Sequence, residues 1–389
     1  MQEYNYMKRY LWHRFVFIVL RPVAGPVVKR MMGYSCGKQK GPDKPSLIIA
    51  NHNANLDPAF VALAFSRHMY FLASEHAFRG GLASKLLKFA FAPIPINKVR
   101  TDLFAVKEMI RKLKAGANVC IFAEGDRSFN GVTSPISIST AKLVKSSGAD
   151  LITFRIEGGY FTTPRWASGR HKGEMTGGTV GRYAAAELAA MTSEQILAVI
   201  ERDIYEDAYE RQLGRYIHYK GENLAEHIET ALYLCPGCKK IGTIKSKGAR
   251  FFCECGLNAV FTETVLLEGE TLPFSTITQW DNWQSEQLAD IVKNAGGEPL
   301  CIDEGQRLYE IDTAVGKKFL GEGTMQIDSE VFRCAGLTFE LEQIAQFAVT
   351  GQMRLHFGLK NGTTYEVLSV VPRSALKYRE LFRVLSSRE

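Results

Sequence analysis

Short apolar runs and amphipathic stretches alternate through the middle of this chain, with polar turns between them. Strand-like runs fall at 46–50, 68–73, 118–122 and 151–156. Helices are predicted between and after them at 58–65, 82–91, 103–113 and 139–147. The third carries Leu103, Val106, Ile110 and Leu113 on one face, opens at Thr101-Asp102 and closes at Gly116. Strand followed by helix, repeatedly, predicts an α/β domain, a mostly parallel sheet with flanking helices. The stretch 183–213 reads as exposed, charged helix with an internal break at Met191-Thr192-Ser193-Glu194. Beyond Thr278 the period changes. A helix through Trp280 and Trp283 to Lys293 leads into short strand signals at 307–311, 323–327, 331–335, 337–341, 353–358 and 364–370. An amphipathic helix from about 372 follows, carrying Leu376, Tyr378, Leu381, Phe382 and Leu385.

The amino-terminal stretch is different again. It mixes Tyr10, Leu11, Trp12 and the apolar run 15–20 with Lys8, Arg9 and Arg14. That run falls far short of the ~20 residues a spanning helix needs, and Arg21-Pro22 is expected to break it. No small-residue cleavage site follows, which argues against a signal peptide. The pattern fits a helix lying in a membrane interface, with aromatic groups at the acyl boundary and basic groups at the headgroups. A helix packed on its own domain would use similar residues. The 389-residue chain has a net charge of +7, and the excess is local. Within 1–40, Lys8, Arg9, Arg14, Arg21, Lys29, Arg30, Lys38 and Lys40 face a single acid, Glu3. Near anionic headgroups each basic residue is worth about 1 kcal/mol. The expectation is a peripheral or monotopic protein on the cytoplasmic face of a membrane. Its length and hydrophobic fraction of 46% fit two or three folded domains.

Two polar turns carry candidate chemistry. The first strand enters Asn51-His52-Asn53-Ala54-Asn55-Leu56-Asp57-Pro58. A carboxylate bonded to one imidazole nitrogen fixes the tautomer and stabilises the imidazolium, so the other nitrogen can take a hydroxyl proton. Asp57-Pro58 is also a helix start with Asp57 as N-cap, and a capping aspartate beside an ordinary loop histidine would give the same residues. The run 118–122 enters Ala123-Glu124-Gly125-Asp126-Arg127-Ser128. Gly125 permits a tight turn, Arg127 offers a planar fork matched to phosphate, and Glu124 would receive a glycerol hydroxyl or hold Arg127. A surface turn with a local Glu–Arg pair is the plainer alternative. In an open parallel sheet both turns lie at strand ends, where such sheets bind ligands.

A third constellation pairs Cys235-Pro236-Gly237-Cys238 with Cys253-Glu254-Cys255-Gly256 across a hairpin-sized insert. Four thiolates at this spacing suit a tetrahedral zinc ribbon. Disulfides are the competing reading and need an oxidising compartment. With no open coordination position and no nearby base, the zinc is expected to be structural. Lys239, Lys240, Lys245, Lys247 and Arg250 around it read as a solvated face, and no nucleic-acid partner is expected.

Taken together, the two turns resemble the glycerophospholipid acyltransferase family, the lysophosphatidate acyltransferases and their relatives. That family carries an H-x4-D motif, a basic motif after a short apolar strand, an F-P-E-G-T-R-S motif and a proline-containing strand. His52 and Asp57 match the first motif; Phe122, Glu124, Gly125, Arg127 and Ser128 match the third. Ala123 stands where proline is usual and Asp126 where threonine is usual. The second motif is looser, with Lys98 or Arg100 in place of an arginine, and 150–156 occupies the fourth without its proline. The resemblance covers roughly 1–230. It implies His52 as general base, Asp57 as its orienting partner, and Glu124, Gly125, Arg127 and Ser128 with Lys98 or Arg100 in acceptor binding. The implied reaction moves an acyl group from acyl-CoA or acyl carrier protein to the 2-hydroxyl of 1-acyl-glycerol-3-phosphate, with no cofactor required. Glycerol 3-phosphate or another lysophospholipid is an alternative acceptor. A non-catalytic lipid- or nucleic-acid-binding adaptor is the alternative of a different class. The pattern after 278 resembles a pleckstrin-homology-like barrel. The expected domains are a membrane-surface segment (1–40), an acyltransferase domain (41–233), a zinc ribbon (234–278) and a C-terminal α+β domain (279–389).

Overall fold

A computed structural model describes residues 2–37, 39–74, 91–96, 103–312 and 316–387. The chain divides into two units, Met1–Pro164 with His171–Lys220, and Arg165–Arg170 with Gly221–Glu389.

The first unit opens with helix α1 (Gln2–Met32), which runs through Pro22 and Pro26. The break expected at Arg21-Pro22 is therefore absent. An interior proline costs a helix about 3 kcal/mol, and here tertiary packing offsets it. Phe17 and Met32 are buried. Arg21 Nη2 donates to the Leu63 carbonyl at 3.1 Å, tying α1 to a second helix, α2 (Asp57–Ala64). No helix among the described residues is long and apolar enough to cross a membrane.

Strands β1 (Tyr34–Ser35), β2 (Ser46–Ala50), β3 (Met69–Ser74), β4 (Ile94–Ile96), β5 (Asn118–Phe122), β6 (Asp150–Glu157) and β7 (Met175–Tyr183) form one seven-stranded sheet. Its order is β1-β7-β6-β2-β5-β3-β4. From β6 to β4 all neighbours are parallel, while β7 is antiparallel to β6. The mostly parallel sheet is thus as expected, but β7 is an addition. Its glycines conceal the strand period, and Gly177 is required by close approach. A Cβ there would lie 2.6 Å from Tyr34 Oη and 3.0 Å from Phe154 Cε1.

Side chains alternate across the buried strands and build a core on each face. Leu47, Ile49, Val119 and Ile121 point to one face, Ile48, Ala50 and Cys120 to the other. The first face is covered by α3 (Leu103–Lys114) and α4 (Ile138–Ser147). A short α5 (Gly159–Thr162) follows β6, and α6 (Ala185–Ala190), α7 (Ser193–Ile204) and α8 (Ala208–Gln212) follow β7. The expected break falls between α6 and α7, where Thr192 and Gln195 form a capping box. The stretch is not the exposed helix expected. Ile196, Ile200 and Ile204 are fully buried in the core, one turn apart, and charges on the outer face masked that stripe. Of the predicted helix 82–91 only Phe91 lies within the described residues, and Thr101-Asp102 lies outside them.

In the second unit β8 (Lys245–Lys247), β9 (Arg250–Phe252), β10 (Asn258–Phe261) and β11 (Leu267–Glu268) make an antiparallel sheet. Helix α9 (Ile277–Asn294) clamps the chain entering it. Trp280 Nε1 donates to the Leu234 carbonyl at 2.9 Å, and buried Gln284 accepts from Tyr233 N and donates to the Ala231 carbonyl. Then β12 (Cys301–Asp312), β13 (Gly316–Ile327), β14 (Val331–Cys334), β15 (Leu337–Glu340), β16 (Ile344–Thr350), β17 (Arg354–Leu359) and β18 (Thr364–Ser369) form an antiparallel sheet ordered β15-β14-β13-β12-β18-β17-β16. Helix α10 (Leu376–Ser386) packs Phe382 on Phe347 and Tyr378 on Phe332. This is the α+β architecture expected, with β16 as an unpredicted strand whose alternation is diluted by Ala345, Gln346 and Ala348.

Candidate active site

β2 and β5 are neighbours, with Ala50 opposite Phe122, so the loops leaving their carboxyl ends lie side by side. His52 sits in the first and Glu124 in the second. Asp57 does not cap α2. Leu56 occupies the N-cap position without a side-chain bond, and the Asp57 carboxylate turns back into the loop. Its Oδ2 lies 2.8 Å from His52 Nδ1 and accepts from Asn53 N at 2.7 Å and Ala54 N at 2.8 Å. Asp57 is fully buried, and a carboxylate beside an imidazole accepts the Nδ1 proton. Nε2 is then the basic nitrogen, and it has no hydrogen-bond partner among the described residues. The ring lies on Phe122 with centroids 4.5 Å apart, and the side chain is 22% exposed.

The second turn is bonded to the first. Glu124 Oε1 accepts from His52 N at 2.6 Å and Oε2 from Ser134 N at 2.7 Å. Ser128 N donates to the His52 carbonyl at 3.1 Å. Burial pushes the Glu124 carboxyl up to about 8, against the two N–H bonds that favour its charged form. Gly125 has φ +73°, a left-handed turn conformation that glycine adopts without strain. Arg127 Nη1 donates to the Thr163 carbonyl at 3.3 Å. Burial lowers its pKa, while the carboxylates of Asp57 and Asp126 oppose that shift, so Arg127 lies within the field of the His52–Asp57 pair. The Ser128 hydroxyl is buried, donates to the Val132 carbonyl at 2.8 Å and accepts from Gly131 N at 2.9 Å. These bonds shape the turn. The structure thus brings together His52, Asp57, Glu124, Gly125, Arg127 and Ser128, whereas Lys98 and Arg100 lie outside the described residues.

Three residues of this assembly escaped the sequence reading. Asn51 exchanges two bonds with Ile156 across the sheet, at 2.8 and 2.7 Å. Asn53 Nδ2 donates to the Ile156 carbonyl and to Glu206. Glu206, buried between α7 and α8, also accepts from Gly158 N at 2.7 Å. The asparagines flanking His52 were a local signal, since their amides can bridge loop and strand. Glu206 had none, lying in a stretch read as exposed. Burial raises its carboxyl to about 8. For Glu124 and Glu206 alike, the native chain holds a proton that the unfolded chain loses above about pH 4.5. Their contribution to stability is therefore present below pH 4.5 and falls as pH rises through about 8. Urea unfolding across this window should show a steeper decline for the wild type than for Glu206→Gln.

An apolar cavity of about 330 Å³ lies against the same loop, lined by Asn55, Leu56 and Pro58 together with Phe17 and Leu20 of α1 and Met69 and Phe71 of β3.

In the second unit the Sγ atoms of Cys235, Cys238, Cys253 and Cys255 all lie within 4.8 Å of one another. Cys235–Cys255 are 3.5 Å apart and Cys238–Cys253 3.8 Å. A tetrahedron with Zn–S bonds of about 2.3 Å puts its sulfurs about 3.8 Å apart, so the four thiols fit a metal ion. All of them are free cysteines. Gly237 gives Cys255 room, since a Cβ there would lie 3.1 Å from its sulfur.

Residues 35–157 match the family model described as Acyltransferase. Among solved structures, one similar chain is the 1-acyl-sn-glycerophosphate (LPA) acyltransferase PlsC from Thermotoga maritima. It is 19% identical, with a TM-score of 0.39, and the match covers 46% of this chain and 75% of that one. No curated protein sequence matches. Both the His52–Asp57 pair and the Glu124–Arg127 turn fall inside the matched segment 35–157.

Proposed function

We propose that this chain is a membrane-surface O-acyltransferase that moves a fatty acyl group from an acyl thioester, acyl-CoA or acyl carrier protein, to the 2-hydroxyl of 1-acyl-glycerol-3-phosphate. The observation that carries the reading is the joined pair of turns, with His52 bonded through its ring to Asp57 and through its backbone to Glu124. His52 Nε2 takes the acceptor hydroxyl proton as that oxygen attacks the thioester carbonyl. The tetrahedral intermediate collapses with loss of the C–S bond, and the imidazolium returns its proton to the leaving thiolate. Asp57 stabilises the imidazolium between these steps. Arg127 holds the acceptor phosphate. The apolar cavity beside Leu56 and Pro58 suits an acyl chain in size and lining.

Support for a membrane surface comes from α1, where Leu11, Trp12, Phe15, Ile18, Val23 and Val27 are exposed. In the second unit the four cysteines hold zinc as a structural clip, with Cys235, Cys238, Cys253 and Cys255 as ligands.

Purified protein offered one acyl thioester and a panel of acceptors should prefer 1-acyl-glycerol-3-phosphate over glycerol 3-phosphate and over lysophospholipids with larger headgroups. A preference for either of the others would overturn the acceptor assignment. Arg127→Lys should raise KM for the phosphate-bearing acceptor about tenfold through loss of the two-pronged bond. The slow rate with uncharged monoacylglycerol should be unchanged, and kinetics on both acceptors checks this.

A further inference from the structure

We propose that a second cavity, on the α3 side of the sheet, holds the phosphate headgroup of an anionic phospholipid. The cavity has a volume of about 260 Å³ and is lined by Arg9 and His13 of α1, Tyr70 of β3, and Phe104, Arg111 and Lys112 of α3. It opens on the other face of β3 from the apolar cavity and shares Pro93 with it as a common wall. Side chains alternate along β3, so Tyr70 joins the α3 core while Met69 and Phe71, which line the apolar cavity, join the α2 core. None of His52, Asp57, Glu124 and Arg127 lines it.

Its chemistry is that of an anion site. Among the described residues that line it, the basic groups Arg9, Arg111 and Lys112 stand beside one carboxylate, Glu108, which is shared between Arg111 at 2.6 Å and Lys112 at 3.4 Å. Lys112 is 7% exposed, and its Nζ lies 3.7 Å over the Tyr70 ring. His13 Nδ1 lies 3.0 Å from Tyr70 Oη, which fixes that wall of the cavity. Burial lowers the pKa values of Lys112 and His13, a cost that an entering phosphate offsets. Two arginines with a lysine can grip phosphate oxygens by fork and by point charge.

The apolar rim favours a lipid over a soluble phosphate. Phe104 is 64% exposed and Leu103 66%, both at the start of α3, and Trp12 is exposed one turn along α1 from Arg9. Large apolar side chains bordering a basic cavity place a headgroup in the cavity and acyl chains against the rings. This inference rests on the membrane-surface reading given above.

The test pellets the full-length chain with phosphatidylcholine vesicles, with and without phosphatidate, whose headgroup is a phosphomonoester. Phosphatidate should increase binding. Arg9→Gln and Arg111→Gln should each reduce that increase about fivefold, and the pair together about twenty-fivefold, with binding to pure phosphatidylcholine and melting temperature unchanged. Lys112→Gln should act alike, but its burial makes it a check on the two exposed variants. If the arginine variants keep the wild-type preference, the cavity assignment is overturned while the membrane reading stands. If the wild type pellets with neither vesicle, the membrane reading falls first and the cavity with it. Soluble glycerol 3-phosphate should give no Arg9-dependent thermal protection; protection would overturn the lipid in favour of a free phosphomonoester.

Discussion

Replacing His52 by alanine should lower acyl transfer by roughly two to four powers of ten, the usual worth of a positioned general base. The melting temperature should barely move. Among the described residues the imidazole makes one hydrogen bond, to Asp57, and that carboxylate would still be held by Asn53 N and Ala54 N. Asp57→Ala should behave differently. It removes the acceptor of two buried backbone N–H groups as well as the partner of the ring, so stability should fall by about 1–3 kcal/mol together with turnover. Thermal melts beside steady-state rates separate the two variants. A His52→Ala enzyme that kept more than a few per cent of the wild-type rate would contradict the assignment of the base.

Loss of the proposed zinc clip should have the second large effect. The four sulfurs close the turn after Leu234 against the turn after β9, and the cluster is built from Cys235, Cys238, Cys253 and Cys255. Metal binding to such sites is folding free energy, about 10–16 kcal/mol in isolated zinc-finger peptides. Here Trp280 and Gln284 already pin one side of the cluster, so a smaller loss, about 5 kcal/mol or more, is expected on chelation or in Cys253→Ser. Elemental analysis of protein purified without chelators should find one zinc per chain. Metal-free protein with wild-type stability would contradict the site.

Much of this was legible because the informative signals are local. The apolar runs at β2 and β5 are buried on both faces, so they stand out as uninterrupted strands, and the polar turns after them hold the His52–Asp57 and Glu124–Arg127 groups. The cysteine knuckles carry their own spacing. What the sequence concealed depends on long-range packing. α1 continues through Pro22 because Arg21 and Phe17 are held by the rest of the unit. β7 is a strand although glycines erase its period, because it pairs with β6 and β1, and Tyr34 and Phe154 leave room only for glycine at Gly177. Glu206 belongs to the site only because the chain after α7 returns to the carboxyl end of β6, where Asn53 and Gly158 meet it. Asp57 shows both sides. Its position before Pro58 predicted a helix start correctly, yet its carboxylate serves the loop histidine and not the helix N–H groups.

The most direct test counts two products in one reaction. Purified protein is given an acyl thioester and 1-acyl-glycerol-3-phosphate, and the thiol released is measured against the phosphatidate formed. One thiol per phosphatidate, with both lost in His52→Ala, is the predicted result. Thiol release without the new ester, or no release with any glycerolipid acceptor, would contradict acyl transfer at this site.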